Sequence, residues 1–220
     1  MNNPSMDYAA QFLISEANGT LSRDQATLLG LNDGATILPP ATVLGVITAG
    51  AATWAPAAGN IGNGVFGSIT LGFGAKPGAY SLQCVAPGAE ATFLLIDPVG
   101  NELGEVRAGT AFNGPLAFTL TSGSSAFAIG DTLTINIAIG SEKYVAWDPS
   151  GTDGRENAAA ILITRADVSG AADAQAAVIA RFAEVKNLLL NWKSGATSGQ
   201  IAMATSQLAR NGIIVRATQA

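Results

Sequence analysis

The chain has 220 residues, 48% of them hydrophobic, and a net charge of −5; it is long enough to bury one large core or two small ones without disulfide support. It has no histidine, which removes the commonest general base, the commonest transition-metal ligand and every Ser-His or Cys-His pair. Its basic residues are scattered singly, which argues against a nucleic-acid partner because neutralising phosphates takes clustered Lys and Arg. No apolar run approaches the roughly 20 residues of a helical membrane span. Residues 1–8 lack the basic flank and apolar stretch of a signal peptide and carry Asp7, so neither Sec export nor a membrane partner is expected.

Residues 1–23 follow no sustained period and are punctuated by Pro4, Asn18 and Gly19, which reads as an arm. A helix over 6–14, with Tyr8, Phe12 and Leu13 on one face, would be too short to persist unaided. Residues 41–48 (ATVLGVIT) follow the Pro39-Pro40 pair, which fixes an extended approach, and predict a strand entering a core. From about residue 50 to 141 the chain turns rich in Gly, Ala and Thr. Apolar residues alternate there at Ile69, Leu71 and Phe73; at Tyr80, Leu82 and Cys84; at Leu116, Phe118 and Leu120; and at Leu133, Ile135, Ile137 and Ile139. A turn at 97–101 joins the apolar run 93–96 to 102–107, which predicts a hairpin. Six such strands with no helical period predict a small antiparallel sandwich, with Cys84 as a buried strand thiol.

Residues 143–147 (KYVAW) restart the core as a strand that ends at Asp148-Pro149. Residues 160–164 follow as a strand, and 177–185 are expected to form one more, with Val178, Ala180 and Phe182 on one side. The period then switches: Ile201, Ala204 and Leu208 lie at helical spacing, with Ser198 placed as N-cap and Gly212 as the stop, so a helix is predicted over 198–211. Residues 213–216 close as a last strand.

Motifs that suggest chemistry each have a plainer reading. Gly62-Asn63-Gly64-Val65-Phe66-Gly67 has dinucleotide-motif spacing but precedes a strand rather than a helix. Asp148, Ser150, Thr152, Asp153 and Glu156 could offer oxygens to calcium, yet they lack the full ligand alternation and fit a turn held by side-chain to backbone hydrogen bonds. Glu102 and Glu105, a carboxylate pair of the glycosidase kind, fall on an exposed hairpin strand. Trp147 and Trp192 read as packing or subunit-contact residues rather than a sugar platform, and Trp54 is placed in a loop beside Pro56. No cofactor or metal is expected, and no enzyme.

The segment Lys143-Tyr144-Val145-Ala146-Trp147-Asp148-Pro149-Ser150-Gly151-Thr152-Asp153-Gly154 resembles the head decoration proteins of lambda-like phages, the protein D family. Its continuation is similar too, through residues 160–162, a strand near Val178, the helix and the final Gly212-Ile213-Ile214-Val215. Upstream, residues 15–24 (SEANGTLSRD) and 42–48 (TVLGVIT) look like the corresponding starts, so the resemblance covers about 12–49 and 142–217. It implies a mainly β, α+β fold: a small mixed core of residues 24–49 plus 142–220 with one C-terminal helix, interrupted at 50–141 by an inserted β-sandwich-like domain. Such an insertion is tolerated if its ends lie close, because closure entropy grows only with the logarithm of length.

The resemblance further implies a structural cement protein of the bacteriophage virion. Such a protein binds the major capsid protein as a homotrimer on the outer surface of the expanded head and stabilises it against packaged DNA. An arm over 1–23 would bind the capsid through Tyr8, Phe12, Leu13, Ile14, Ser15 and Glu16, with Phe12 and Ile14 as anchors. Trp147, Asp148 and Trp192 are expected in trimer or core contacts. The alternative expectation is an adhesion module whose insert binds a host-surface glycan.

Overall fold

The computed structural model describes residues 9–217. In chain order the first elements are β1 (Leu13–Glu16), α1 (Gly19–Ser22), β2 (Arg23–Leu28), β3 (Ile37–Leu38) and β4 (Val43–Val46). Then come β5 (Ala49–Pro56), β6 (Gly64–Phe66), β7 (Thr70–Leu71), β8 (Gly78–Ala86), β9 (Thr92–Ile96), β10 (Glu102–Arg107), β11 (Ala111–Asn113), β12 (Leu116–Ser122) and β13 (Thr132–Ile139). The last are β14 (Tyr144–Ala146), β15 (Ala158–Leu162), β16 (Ala166–Asp167), β17 (Ala174–Ile179), β18 (Ala183–Lys186), α2 (Ser198–Arg210) and β19 (Ile213–Arg216). The fold is thus mainly β with one long C-terminal helix. The chain divides into two compact units, one formed by the residues up to Ile47 together with those from Glu142 onward, the other by Thr48–Ser141.

In the first unit β14, β2, β17, β15 and β4 close into a barrel, and β1, β18 and β19 form a three-stranded sheet. Strands buried on both faces read as continuous apolar runs, and β4 and β15 do so. Leu44, Ala160 and Leu162 enter the barrel core with Leu28 and Val178, while Val43, Ile161 and Ile163 face a second core with Val185, Ile213 and Leu208. That second core is roofed by α2, which buries Ala204 and Leu208. Thr197, not Ser198, caps the helix: its side chain accepts from the Gln200 amide at 3.2 Å while Gln200 Oε1 accepts from the Thr197 amide at 2.8 Å. A reciprocal box of this kind satisfies two otherwise orphaned donors.

The strand expected over 177–185 is broken. β17 ends at Ile179 and β18 begins at Ala183 because the chain leaves the barrel for the other sheet there. Phe182 takes the left-handed region at φ 49° and is half exposed instead of sharing a face with Val178. Its amide donates to the Asn211 carbonyl at 3.2 Å, and a side chain on Gly212 would sit 2.8 Å from its ring. The ends of the first unit's two pieces meet directly, since the Glu142 amide donates to the Ile47 carbonyl at 2.9 Å.

The second unit is an antiparallel sandwich of a five-stranded sheet, ordered β10-β9-β8-β13-β5, and a smaller one, ordered β11-β12-β6 with β7 beside β12. Alternate residues of both sheets fill one core, among them Tyr80, Leu82, Cys84, Phe93, Leu133 and Ile135 from the larger and Phe66, Leu116, Phe118 and Leu120 from the smaller. The hairpin expected at 97–101 joins β9 to β10. Asp97 holds it, its carboxylate accepting from the Val99 and Asn101 amides at 2.9 and 2.8 Å and from Lys76 Nζ at 3.1 Å. Trp54 lies in β5 rather than in a loop and packs edge-on against Phe66, centroids 5.2 Å apart. In the glycine motif, Gly64 opens strand β6, and a Cβ at either Gly62 or Gly64 would overlap Phe127; those glycines serve close packing.

Candidate functional site

The residues expected to form a capsid-binding arm fall into three groups. Tyr8 lies outside the described residues. Phe12 is 1% exposed and belongs to the first unit's own core beside Val185 and Ile213, so it ties the segment to its own chain instead of presenting an anchor. Leu13 packs partly against the same core. The physical reason is the tight turn before it, with Ala10 at φ 62° and the Leu13 amide donating to the Ala10 carbonyl. That turn aims the Phe12 ring inward and lets Lys186 N–H donate to the Phe12 carbonyl at 2.7 Å.

From there β1 pairs antiparallel with β18, and the register shifts between Leu13 and Ser15. The shift throws Ile14 outward, 47% exposed. Ser15 Oγ donates to Glu184 Oε2 at 3.0 Å, and Arg216 Nε donates to the other Glu184 oxygen at 3.1 Å. The Arg216 and Ser15 hydrogen bonds hold the Glu184 carboxyl below its ordinary range. Glu16 accepts from Arg23 Nε at 3.0 Å. Ser15 and Glu16 are therefore engaged within the chain, and β1 forms an end of its sheet with its outer edge unpaired among the described residues.

Two exposed side chains that the alternation of residues gave no reason to single out flank this segment. Phe182 is 51% and Leu21 48% exposed. Both border the strand's far end, where the Ala17 amide donates to the Phe182 carbonyl at 2.9 Å and Arg181 donates to the Leu21 carbonyl at 2.7 Å. Phe182 is visible only once the break between β17 and β18 is known.

Trp147 is buried in the second core and stacks edge-on against Trp192, centroids 5.7 Å apart. Its Nε1–H donates to the Glu156 carbonyl at 2.9 Å. The loop it closes is held by side chains: Asp148 Oδ1 accepts from both the amide and hydroxyl of Ser150 at 3.0 Å. Asp148 Oδ2 meets Lys193 at 2.8 Å, and that bond, opposed by partial burial, lowers the Asp148 carboxyl. Asp153 pairs with Arg155, and the buried Glu156 carboxylate accepts from the Gly154 amide at 2.9 Å. The three carboxylates of the set that resembled a calcium site are thus matched to donors of the chain itself. Among the described residues no cluster of His, Cys, Asp or Glu is grouped to hold a metal.

In the second unit the distinctive surface is the end at which β5 finishes and β13 starts. Asp131 is buried there, accepting from the amides of Ile61 and Gly62 at 2.8 Å and of Ala128 at 2.9 Å. These bonds together outweigh burial and lower its carboxyl. The same end carries a cleft of about 570 Å³ lined by residues of three separate segments, 89–90, 107–110 and 121–123. Only strand pairing brings those segments together, so no sequence signal announces the cleft.

No curated protein matches the chain. Among solved structures it is similar to FlgL of Xanthomonas campestris in two crystal forms, at 18 and 19% identity over 46% of this chain, with a TM-score of 0.32 in each. It is also similar to the flagellar hook junction protein FlgK of Burkholderia pseudomallei, at 20% identity over 72% of this chain with a TM-score of 0.31. The chain spans 34, 33 and 25% of those three structures. The family model of the bacteriophage lambda head decoration protein D matches residues 5–213. The chain therefore belongs to that family of phage head decoration proteins, with a decoration role on the capsid of the virion.

Proposed function

We propose that the protein binds the outer surface of the expanded head as a homotrimer and stiffens it against the pressure of packaged DNA, making and breaking no covalent bond. Its immediate partner is the major capsid protein. The observation that carries this reading is the outer edge of β1, unpaired among the described residues, with Ile14 exposed beside it and Leu21 and Phe182 flanking it. An unpaired strand edge can extend a partner's sheet through main-chain hydrogen bonds, while alternate side chains supply specificity. Three such edges on one trimer would make the second and third contacts effectively intramolecular, so modest single contacts suffice. In this reading the first unit is the cement, the sandwich of residues 48–141 is carried on it for display, and Trp192, partly exposed, contributes to trimer contact.

The burial of Phe12 sets where the test must act. Ile14→Asp combined with Leu21→Asp changes two exposed side chains beside the edge and leaves Phe12 and the pairing of β1 with β18 in place, so the expected product is a folded trimer, read by light scattering, that no longer attaches to heads lacking decoration protein. Undiminished attachment by that variant would overturn the assignment of the edge.

A further inference from the structure

We infer that the cleft at the end of the sandwich remote from its own chain termini is a binding site for a neutral saccharide. Its position comes first. The unit's chain enters at Thr48 and leaves at Ser141, and the Gly140 amide donates to the Thr48 carbonyl there. β5 and β13 then run away from that point, so that Ala49 faces Ile139 at one end and Pro56 faces Leu133 at the other. β8 places Gln83 opposite Thr132 at this second end, and β9 places Thr92 opposite Arg107. The cleft therefore opens at the end remote from the unit's own chain termini. It lies between the two sheets, where Ser122 Oγ of β12 donates to the Ala89 carbonyl at 2.5 Å and the Gly109 amide donates to the Leu120 carbonyl at 2.7 Å.

Its chemistry selects the ligand class. No aromatic or large aliphatic side chain lines it, only Ala89 and Ala108, so it offers little to a large apolar molecule. The amides of Gly109, Thr110 and Gly123 are spent on backbone carbonyls, so it has no nest of N–H groups for a phosphate. Arg107 is its single cation and stands beside the Glu90 carboxylate, so the cleft carries no net positive charge and disfavours a polyanion. What remains is a mixed set of donors and acceptors: the Thr110 and Thr121 hydroxyls, which have no partner among the described residues, the Ser122 hydroxyl with acceptor capacity left, and the Glu90–Arg107 pair. Both members of that pair are more than half exposed, and an exposed pair of this kind is worth little, so its ends can be re-aimed onto a ligand. Hydroxyls, a carboxylate and a guanidinium around an open cleft, with Ala89 and Ala108 beside them, complement the alternating O–H donors and acceptors of a sugar ring. Gly109 leaves open space at its Cβ position, so ligand atoms can approach the backbone there.

The test uses the full-length protein and saturation-transfer difference NMR with maltose, lactose, mannobiose and chitobiose at millimolar concentration. The expected result is transfer to at least one of them, weakened about tenfold both in Arg107→Ala and in the double variant Thr110→Val/Thr121→Val. Thr53→Val, on β5 away from the cleft, should bind as the parent does. All the altered side chains are exposed, and unchanged melting temperatures would confirm that the fold survives. No transfer to any of the four sugars, or transfer undiminished in both cleft variants, would overturn the site. Attachment to heads is a separate readout that either result leaves untouched, so failure here and failure of the capsid reading can be told apart.

Discussion

Phe12→Ala distinguishes a docked N-terminal segment from a free arm. The ring is 1% exposed and shares a core with Val185, Leu208 and Ile213, and truncating a buried Phe to Ala costs about 3–5 kcal/mol. The loss is capped by whatever holds the segment down, because a segment that undocks need not keep the cavity. Against undocking stand the Lys186 amide bond to the Phe12 carbonyl, the Ala17 amide bond to the Phe182 carbonyl, and the Ser15–Glu184 and Glu16–Arg23 contacts. The lower end, about 3 kcal/mol, is therefore expected, equivalent to roughly 10 °C in melting temperature for a unit of this size. The assay is thermal and urea unfolding followed by tryptophan fluorescence in a Trp54→Phe background, which leaves Trp147 and Trp192 to report on the first unit alone. Ile14→Ala, an exposed change two residues on, should cost no more than about 0.5 kcal/mol. If Phe12→Ala costs no more than Ile14→Ala, the segment is not docked in solution and the structural assignment of Phe12 fails.

Acid should weaken the sandwich ahead of any change in its apolar core. In Asp97 burial pushes the carboxyl up, but the bonds from the Asn101 amide and side chain, Lys76 and Val99 outweigh it and hold the group well below its usual range. Asp131 is lowered in the same manner by three backbone amides. A carboxyl depressed on folding stabilises the native state above its unfolded pKa, and that contribution is lost as the pH falls through the folded value. The melting temperature of the second unit, followed through Trp54, should thus fall progressively below about pH 5, and Asp97→Asn should flatten the dependence; a level profile down to pH 3 would refute the role given to these carboxylates. Gly62→Ala should destabilise the same unit by about 1–3 kcal/mol, since its new methyl would overlap the Phe127 backbone. Gly67→Ala meets only the Thr119 carbonyl, at 3.7 Å, and in urea titrations should be close to neutral.

Much of the fold was legible wherever one local signal decided it. Alternation at 80–84, 116–120 and 133–137 placed β8, β12 and β13 because each strand has one face in the sandwich core; Ile139, expected on the same face, lies beyond a register shift and is exposed. The stripe Ile201, Ala204, Leu208 placed α2 because helical spacing puts those residues on one side. Errors came where tertiary context overrode the local pattern. The run 177–185 has strand character throughout, but one chain must serve a barrel and then a separate sheet, and the change of sheet forces Phe182 into the left-handed region. Likewise Ser198 is a good capping residue, but Thr197 is one position earlier and has Gln200 three residues on, which completes the reciprocal box. Strands of three residues, such as β6 and β11, carry too short a period to be read, and the alternation at Ile69, Leu71 and Phe73 yields only the two-residue β7, with Phe73 62% exposed.

The N-terminal segment shows the same limit at the site itself. An irregular, polar-punctuated stretch with a few apolar residues reads equally as an arm for a partner or as a strand for its own core, because both need apolar side chains at intervals and unpaired backbone. Pairing decides between them, and pairing is non-local: Leu13 meets Val185, more than 170 positions away. The structure divides the stretch at Phe12. Phe12 and Leu13 face inward, Ile14 is turned outward by the register shift, and β1 keeps one edge unpaired among the described residues. A segment so divided can hold its own unit together and still offer an edge to a neighbour, provided the two tasks fall on different residues. Phe12→Ala should therefore act on stability, whereas substitutions of the exposed Ile14 should act on attachment to the head.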